Sequence, residues 1–340
     1  MNPKRLVDAY DLVVFDLDGV IYLIDRPIPG AVETVARLGE EGRSIAYATN
    51  NASRRSAEVA RLLTGMGVPA TDDQVLTSAG AAAILLAERL PAGARVLVVG
   101  APALQAEVRA VGLEPVTGAD EAPVAVVQGY GPSVGWGELA EASVAIRAGA
   151  LWVATNTDRT LPSPRGPLPG NGSLVAALRT ALGREPDVVV GKPAPALFTA
   201  AAHRTAASRP LVVGDRLDTD IEGAVRAGMD SLLVLTGVSG PVELLGAPES
   251  RRPTYVAADL GGLFAPADAL RVSVDQPDPH GWRVTDDGVG LRLDGAGTTM
   301  DALRVLCSAA WSGAPAERGV TGTSDAARAA VRELGLDSVR

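Results

Sequence analysis

Several residue types are scarce in this chain of 340 residues, and each scarcity removes a chemistry. A single cysteine, Cys307, can form neither an internal disulfide nor a zinc cluster, and its apolar setting (LRVLCSAAW) reads as a buried, inert thiol. The two histidines are His203, in a helical pattern (ALFTAAAHRTAAS), and His280, in a Pro-rich turn (QPDPHGW), so catalysis by a histidine base or a His/Cys metal site is not expected. Basic surplus is missing as well: the formal net charge is -9, which argues against a nucleic-acid polymer as partner. An anionic small molecule stays compatible with that balance, because a bound metal and one well-placed cation reverse the local potential. No apolar run reaches membrane length and the first residues, MNPKRLVDAYDLVVF, lack a signal-peptide pattern, so no membrane and a cytoplasmic location are expected. Lysine occurs only as Lys4 and Lys192, which marks Lys192 as an internal position where a compact ammonium is required. Carboxylates remain to carry the chemistry.

What is present is an alternation of short apolar runs with helical patterns. Asp11 to Phe15, Ser44 to Ala48, Val188 to Val190 and Leu211 to Val213 read as buried parallel strands, and Ala31 to Glu41 and Ser56 to Met66 as helices closing at glycine. This predicts an α/β fold with a doubly wound parallel sheet, whose ligands bind at the carboxyl ends of the strands. The pattern repeats on a smaller scale from about Ala82 to Leu182, with strands at Arg95 to Val99, Val124 to Gln128 and Leu151 to Ala154, and returns through the Pro/Gly-rich stretch Leu161 to Gly172. We read residues 1–81 and 183–258 as one core, 82–182 as an inserted α/β domain, and 259–340 as a small C-terminal α/β unit. In that last unit, strands near Arg271 to Val274, Trp282 to Val284 and Val289 to Leu293 precede helices at Met300 to Trp311 and Asp325 to Leu334.

The strand ends carry polar residues in a suggestive order. DLVVFDLDG places Asp16 and Asp18 just past a strand, which taken alone is also a common turn. SIAYATNN ends the next strand on Thr49 and Asn50, whose donors suit phosphoryl oxygens, although taken alone a helix cap or a side-chain turn is the favoured reading. GKPAPALF carries Lys192 but lacks the residues of a nucleotide-binding phosphate loop. LVVGDRLDTDIEGA supplies Asp215 and Asp220, with Asp218 reading as a helix cap; carboxylates gathered at a strand end call for a hard cation, and oxygen ligands suit Mg²⁺.

Asp16-Leu17-Asp18-Gly19, Thr49-Asn50, Lys192, and Gly214-Asp215 with Asp220 resemble, in this order, the four motifs of the haloacid dehalogenase superfamily. The likeness covers about residues 8 to 258 and implies a phosphatase in which Asp16 is the nucleophile and Asp18 the acid/base. It further implies Mg²⁺ held by Asp16, the Asp18 carbonyl and Asp215 with support from Asp220, and phosphate held by Thr49, Asn50 and Lys192. Asp18 and Asp215 speak against dehalogenation, whereas a phosphomutase also fits the motifs. Insertion between Asn50 and Lys192 resembles the larger cap class, carried also by GVIY, ATNTD and PGNGSLVAAL, and makes Asn156 and Asp158 candidate cap contacts or simply a structural turn. A roofed site implies a small phosphorylated substrate. The likeness is nearest to glycerol-3-phosphate and 2-phosphoglycolate phosphatases and makes glycerol 3-phosphate the expected substrate, with 2-phosphoglycolate, pyridoxal phosphate and nucleoside monophosphates as alternatives and an inactive, regulatory fold as the reading of another class. The tail suggests a shortened acetyltransferase-like fold without an acyl-CoA loop, serving dimerisation, as in a homodimer, or regulation.

Overall fold

A computed structural model describes residues 4–161, 163, 165–273, 281–313 and 319–337. The chain divides into two compact units, one formed by residues 1–23, 27–44 and 207–340 and the other by 24–26 and 45–206.

In the first unit the strands Tyr255–Ala257, Asp230–Val234, Pro210–Gly214 and Leu12–Phe15 lie side by side in that order, all parallel. Leu12–Phe15 is buried at every position, as expected of a strand covered on both faces. Its pairing runs one residue beyond the strand, because the Asp16 N–H donates to the Val213 carbonyl at 2.9 Å. The chain then curls at once: Ile21 N–H reaches back to the Leu17 carbonyl at 2.9 Å and Gly19 N–H to that of Tyr22 at 2.8 Å. After Pro210–Gly214 the backbone forms a single wide helical turn, Leu217–Ile221, that leads into the helix Glu222–Ala227.

The C-terminal part of this unit is a three-stranded sheet, Trp282–Asp286 antiparallel to Leu291–Gly295, which pairs in parallel with Val320–Gly322. Leu291 and Leu293 point inward while Arg292 and Asp294 point outward, the alternation of a sheet wet on one face. Two helices cover it. Thr299–Trp311 is started by the Thr298 hydroxyl, which accepts the Asp301 N–H, and Asp325–Glu333 by the Ser324 hydroxyl, which accepts that of Ala327. Their buried residues, Leu303, Leu306, Cys307, Trp311, Ala327 and Val331 among them, belong to one continuous core with Leu217, Ile221, Leu233, Leu244 and Val256 of the preceding fold. The expected strand at Arg271 to Val274 does not form: Arg271 makes one isolated bridge to Tyr255, and Val274 lies outside the described residues.

The second unit holds the parallel pair Ser44–Thr49, of which only Ser44 falls in the first unit, and Val75–Thr77, together with a five-stranded parallel sheet. The order of that sheet is Val188–Val189, Leu151–Ala154, Ala125–Gln128, Arg95–Val99, Glu114–Val116. The structure therefore assigns Val188–Val189 to the sheet of the inserted region, where it pairs with Val153 and Ala154, and not to the first sheet as its apolar run suggested. An apolar run reports burial on both faces, not which sheet supplies the burial. The Leu161 to Gly172 stretch forms a short ribbon, Thr160–Leu161 against Leu168–Pro169. No helix among the described residues is long and apolar enough to cross a membrane.

Candidate active site

In the first unit three carboxylates converge. Asp16, Asp215 and Asp220 each offer an oxygen, all within 4.8 Å of one another, and all three side chains are buried. Each arrives by a different local device: Asp16 directly ends the Leu12–Phe15 strand, Asp215 follows the Pro210–Gly214 strand, and Asp220 sits in the wide Leu217–Ile221 turn. Asp220, expected to support the site from behind, is the third member of the cluster, and its Oδ2 also accepts the Arg216 N–H at 3.1 Å. Asp218, read as a cap, instead pairs with the Arg216 guanidinium at 3.0 Å. Burial works against its charge, yet the hydrogen bond and charge of Arg216 prevail and hold the Asp218 carboxyl below its usual range. Asp18 is half-buried beside the cluster's strand end, bridged through its backbone to Tyr22.

The donor set fits a magnesium ion: oxygen only, anionic, gathered and shielded from water. Three carboxylates in a dry site are tolerated when a cation or protons neutralise them. The surrounding backbone is pressed against Asp215. Gly19, at φ +90°, would place a Cβ 2.5 Å from Asp215 Oδ2, and Gly237 would place one at 1.9 Å. Three residues of the segment after the Asp230–Val234 strand hold this region. Thr236 Oγ1 donates to the Gly19 carbonyl at 2.7 Å, Val238 N–H to Asp215 Oδ2 at 2.7 Å, and Ser239 N–H to the Asp215 carbonyl at 3.0 Å. The buried Ser239 hydroxyl accepts the Leu217 N–H at 3.1 Å. Sequence reasoning missed this loop, whose only outward sign is the small-residue string Thr236-Gly237-Val238-Ser239-Gly240 after an apolar run.

In the second unit a separate polar network forms around Asn50. Its Oδ1 accepts the Lys192 N–H at 2.7 Å, and its Nδ2 donates to the Lys192 carbonyl at 3.0 Å and to Asp158 at 3.1 and 3.2 Å. The Asn50 carbonyl accepts from Asn156 Nδ2 at 2.7 Å and from the Ser78 hydroxyl at 2.6 Å. Asn156 and Asp158 thus brace the loop that carries Asn50 and Lys192. The Lys192 side chain is buried, with Nζ donating to the Ala48 carbonyl at 3.0 Å. The Thr49 hydroxyl accepts the Asn51 N–H at 3.1 Å, so the turn alternative considered for this residue does form. His203 is exposed in the Ala196–Thr205 helix, and His280 lies outside the described residues.

Comparison with known proteins agrees with these features. Residues 13–114 match the model of haloacid dehalogenase-like hydrolases, and residues 189–263 a second model of the same hydrolase class. Residues 280–336 match a GCN5-related N-acetyltransferase-like domain. The D-glycerol 3-phosphate phosphatase of Mycobacterium tuberculosis is 47% identical over 323 residues, covering 92% of this chain and 89% of that protein. An acid sugar phosphatase of Staphylococcus saprophyticus is 36% identical over 257 residues, which is 75% of this chain and 97% of the relative. Among solved structures, a glycerol phosphate phosphatase from M. tuberculosis in complex with magnesium superposes with a TM-score of 0.91 at 46% identity, covering 98% of this chain and 99% of that one. With its acidic cluster at the strand ends and matches of this extent, the chain belongs to the haloacid dehalogenase-like hydrolases and is a magnesium-dependent phosphatase.

Proposed function

We propose that the chain hydrolyses glycerol 3-phosphate to glycerol and phosphate. The observation that carries this reading is the extent of one likeness: the M. tuberculosis enzyme, named for this substrate, matches across 92% of the chain, C-terminal unit included. Other small phosphomonoesters, 2-phosphoglycolate, pyridoxal phosphate and nucleoside monophosphates, are the rivals to be excluded. An inactive fold kept for binding is disfavoured by the filled motifs, Asp16 and Asp18 first among them.

In this proposal Asp16 supplies the carboxylate oxygen that attacks phosphorus, and the phosphoryl group passes to that oxygen as the glycerol alkoxide leaves. Asp18 gives its proton to the alkoxide oxygen, then takes one from the water that opens the aspartyl phosphate. The Thr49 hydroxyl, the Asn50 backbone N–H and the Lys192 ammonium hold the transferring oxygens, which is most of what phosphoryl transfer asks of a protein. Asp16, the Asp18 carbonyl and Asp215 hold Mg²⁺, with Asp220 as the neighbouring carboxylate. The ion, when bound, offsets the charge of the phosphoryl group. Support for these roles comes from motif order and, for Asp16, Asp215 and Asp220, from their convergence. We keep residues 1–81 and 183–258 as the proposed catalytic core, 82–182 as the cap and 259–340 as an accessory unit, with Val188–Val189 moved to the cap sheet that it joins. A homodimer in the cytoplasm completes the proposal; sedimentation velocity and cell fractionation read both points.

Phosphate release from the named panel, with Mg²⁺ and with a chelator, tests the function. Glycerol 3-phosphate is expected to show the highest kcat/KM, and the chelator to abolish release. A tenfold or greater preference for another substrate sinks the substrate assignment. Asp16→Asn is expected to lower kcat by on the order of 10⁴-fold or more; unchanged turnover sinks the nucleophile.

A further inference from the structure

The C-terminal unit has no part in the chemistry just described, yet it packs on the element that follows the Asp215 loop. Thr236, Val238 and Ser239 fix Gly19, Asp215 and Leu217 by the four hydrogen bonds given above. The chain leaving this loop forms the helix Pro241–Leu245, five residues long and too short to be stable by itself. Its stability must come from packing. Leu244 and Leu245 are buried in the core shared with Leu303, Leu306, Cys307 and Trp311 of the Thr299–Trp311 helix.

Two polar ties add direction to that packing. The Trp311 indole N–H donates to the Leu244 carbonyl at 3.2 Å, a carbonyl in the last turn of the short helix. Arg252 donates to the Ala247 carbonyl at 3.1 Å and to the Trp311 carbonyl at 3.4 Å, with its guanidinium carbon 5.3 Å from the centre of the Trp311 ring. The Thr299–Trp311 helix is itself fixed to the Tyr255–Ala257 strand by Arg304, which donates to the Val256 carbonyl at 3.0 Å. Leu217 and Ile221, which bracket Asp220 in the wide turn, enter the same core.

We infer that the acetyltransferase-like unit is a strut for the metal site, with Trp311 as a positioning residue: it holds the Pro241–Leu245 helix, which holds the Val238 and Ser239 amides on Asp215. The inference rests on the reading that Asp215 holds the metal. It differs from a general stabilising role in where the effect falls, since loss of the tie loosens one loop and weakens metal binding without touching the nucleophile.

The test uses the full chain and Mn²⁺, a hard divalent ion, as a probe followed by electron paramagnetic resonance without substrate. Hydrogen exchange at residues 238 and 239 is measured alongside, and kcat at saturating Mg²⁺. Trp311→Phe removes the donor and keeps a ring; Arg252→Gln removes the second tie without opening the core. Both are expected to weaken Mn²⁺ binding by roughly three- to tenfold, short of the 10–100-fold usual when a ligand's own partner is lost. Both should also speed exchange at 238 and 239 while leaving kcat within about twofold, because the loop opens more often but is unchanged when metal is bound. Val98→Ala, buried in the Arg95–Val99 strand and in the separate core of the second unit, is the stability control and should leave Mn²⁺ affinity and that exchange alone. The strut is overturned if the Trp311 and Arg252 variants bind Mn²⁺ and exchange like the parent, or if Val98→Ala produces the same changes. Asp215→Asn separates the two readings: retained Mn²⁺ binding in that variant sinks the metal assignment, and the exchange data then decide the strut by themselves.

Discussion

At the scale of single residues, the site is shaped as much by atoms that are missing as by carboxylates that are present. Gly237 lies so close to Asp215 that a methyl group would sit 1.9 Å from Oδ2, inside any contact distance, and the obstacle is a carboxylate already fixed by the Val238 amide at 2.7 Å. One of the two must move. Gly237 itself is exposed, so little packing is lost with the change. Gly237→Ala is therefore expected to raise the Mg²⁺ concentration for half-maximal phosphate release about tenfold or more, as disturbance of a ligand's hydrogen-bond partner does, and to lower the melting temperature by a few degrees because a buried carboxylate is displaced. Unchanged Mg²⁺ dependence would show that the Asp215 orientation does not govern the metal. The sequence exposed the carboxylates but not this constraint, because Asp16, Asp215 and Asp220 announce themselves by type and spacing, whereas Val238 and Ser239 act through backbone amides that every residue carries.

At the scale of elements, the legible parts are those in which burial leaves a pattern. Leu12–Phe15 and Arg95–Val99 show as apolar runs because both faces of a parallel strand are covered. The Thr299–Trp311 helix shows through Leu303, Leu306, Cys307 and Trp311, spaced along one face. Pairing partners leave no such mark, which is why Val188–Val189 was read into the wrong sheet. The wide turn Leu217–Ile221 was equally hidden, since DTD reads as a cap until the Arg216–Asp218 pair and the Asp220 bond to the Arg216 amide are seen. Cys307 tests the helix directly. It is wholly buried against the shared core, and burial pushes its thiol well above the usual range, so neither access nor thiolate is available. Ellman's reagent is expected to find no reactive thiol in the native protein and one per chain in denaturant; rapid native labelling would contradict the packing of this helix.

At the scale of the whole molecule, three-quarters of this chain accounts for 97% of the acid sugar phosphatase from S. saprophyticus, so in that relative phosphatase chemistry has no counterpart of the remaining residues. The C-terminal unit of this chain is nonetheless not a separable attachment. Leu244, Leu245 and Val256 are buried in a core completed by Leu303, Leu306 and Trp311. Re-exposing even two such side chains costs about 3–6 kcal/mol, a large share of the roughly 5–15 kcal/mol that stabilises a typical folded domain. A chain ended after Ala258 is accordingly expected to melt at a lower temperature than the full chain, bind a hydrophobic dye and lose Mg²⁺-dependent turnover, with Pro241–Leu245 the first segment cut by a protease. A truncated protein with the parent's melting temperature and turnover would mean that the two parts of this core fold independently, and that the tail's contacts with the phosphatase fold contribute nothing to it.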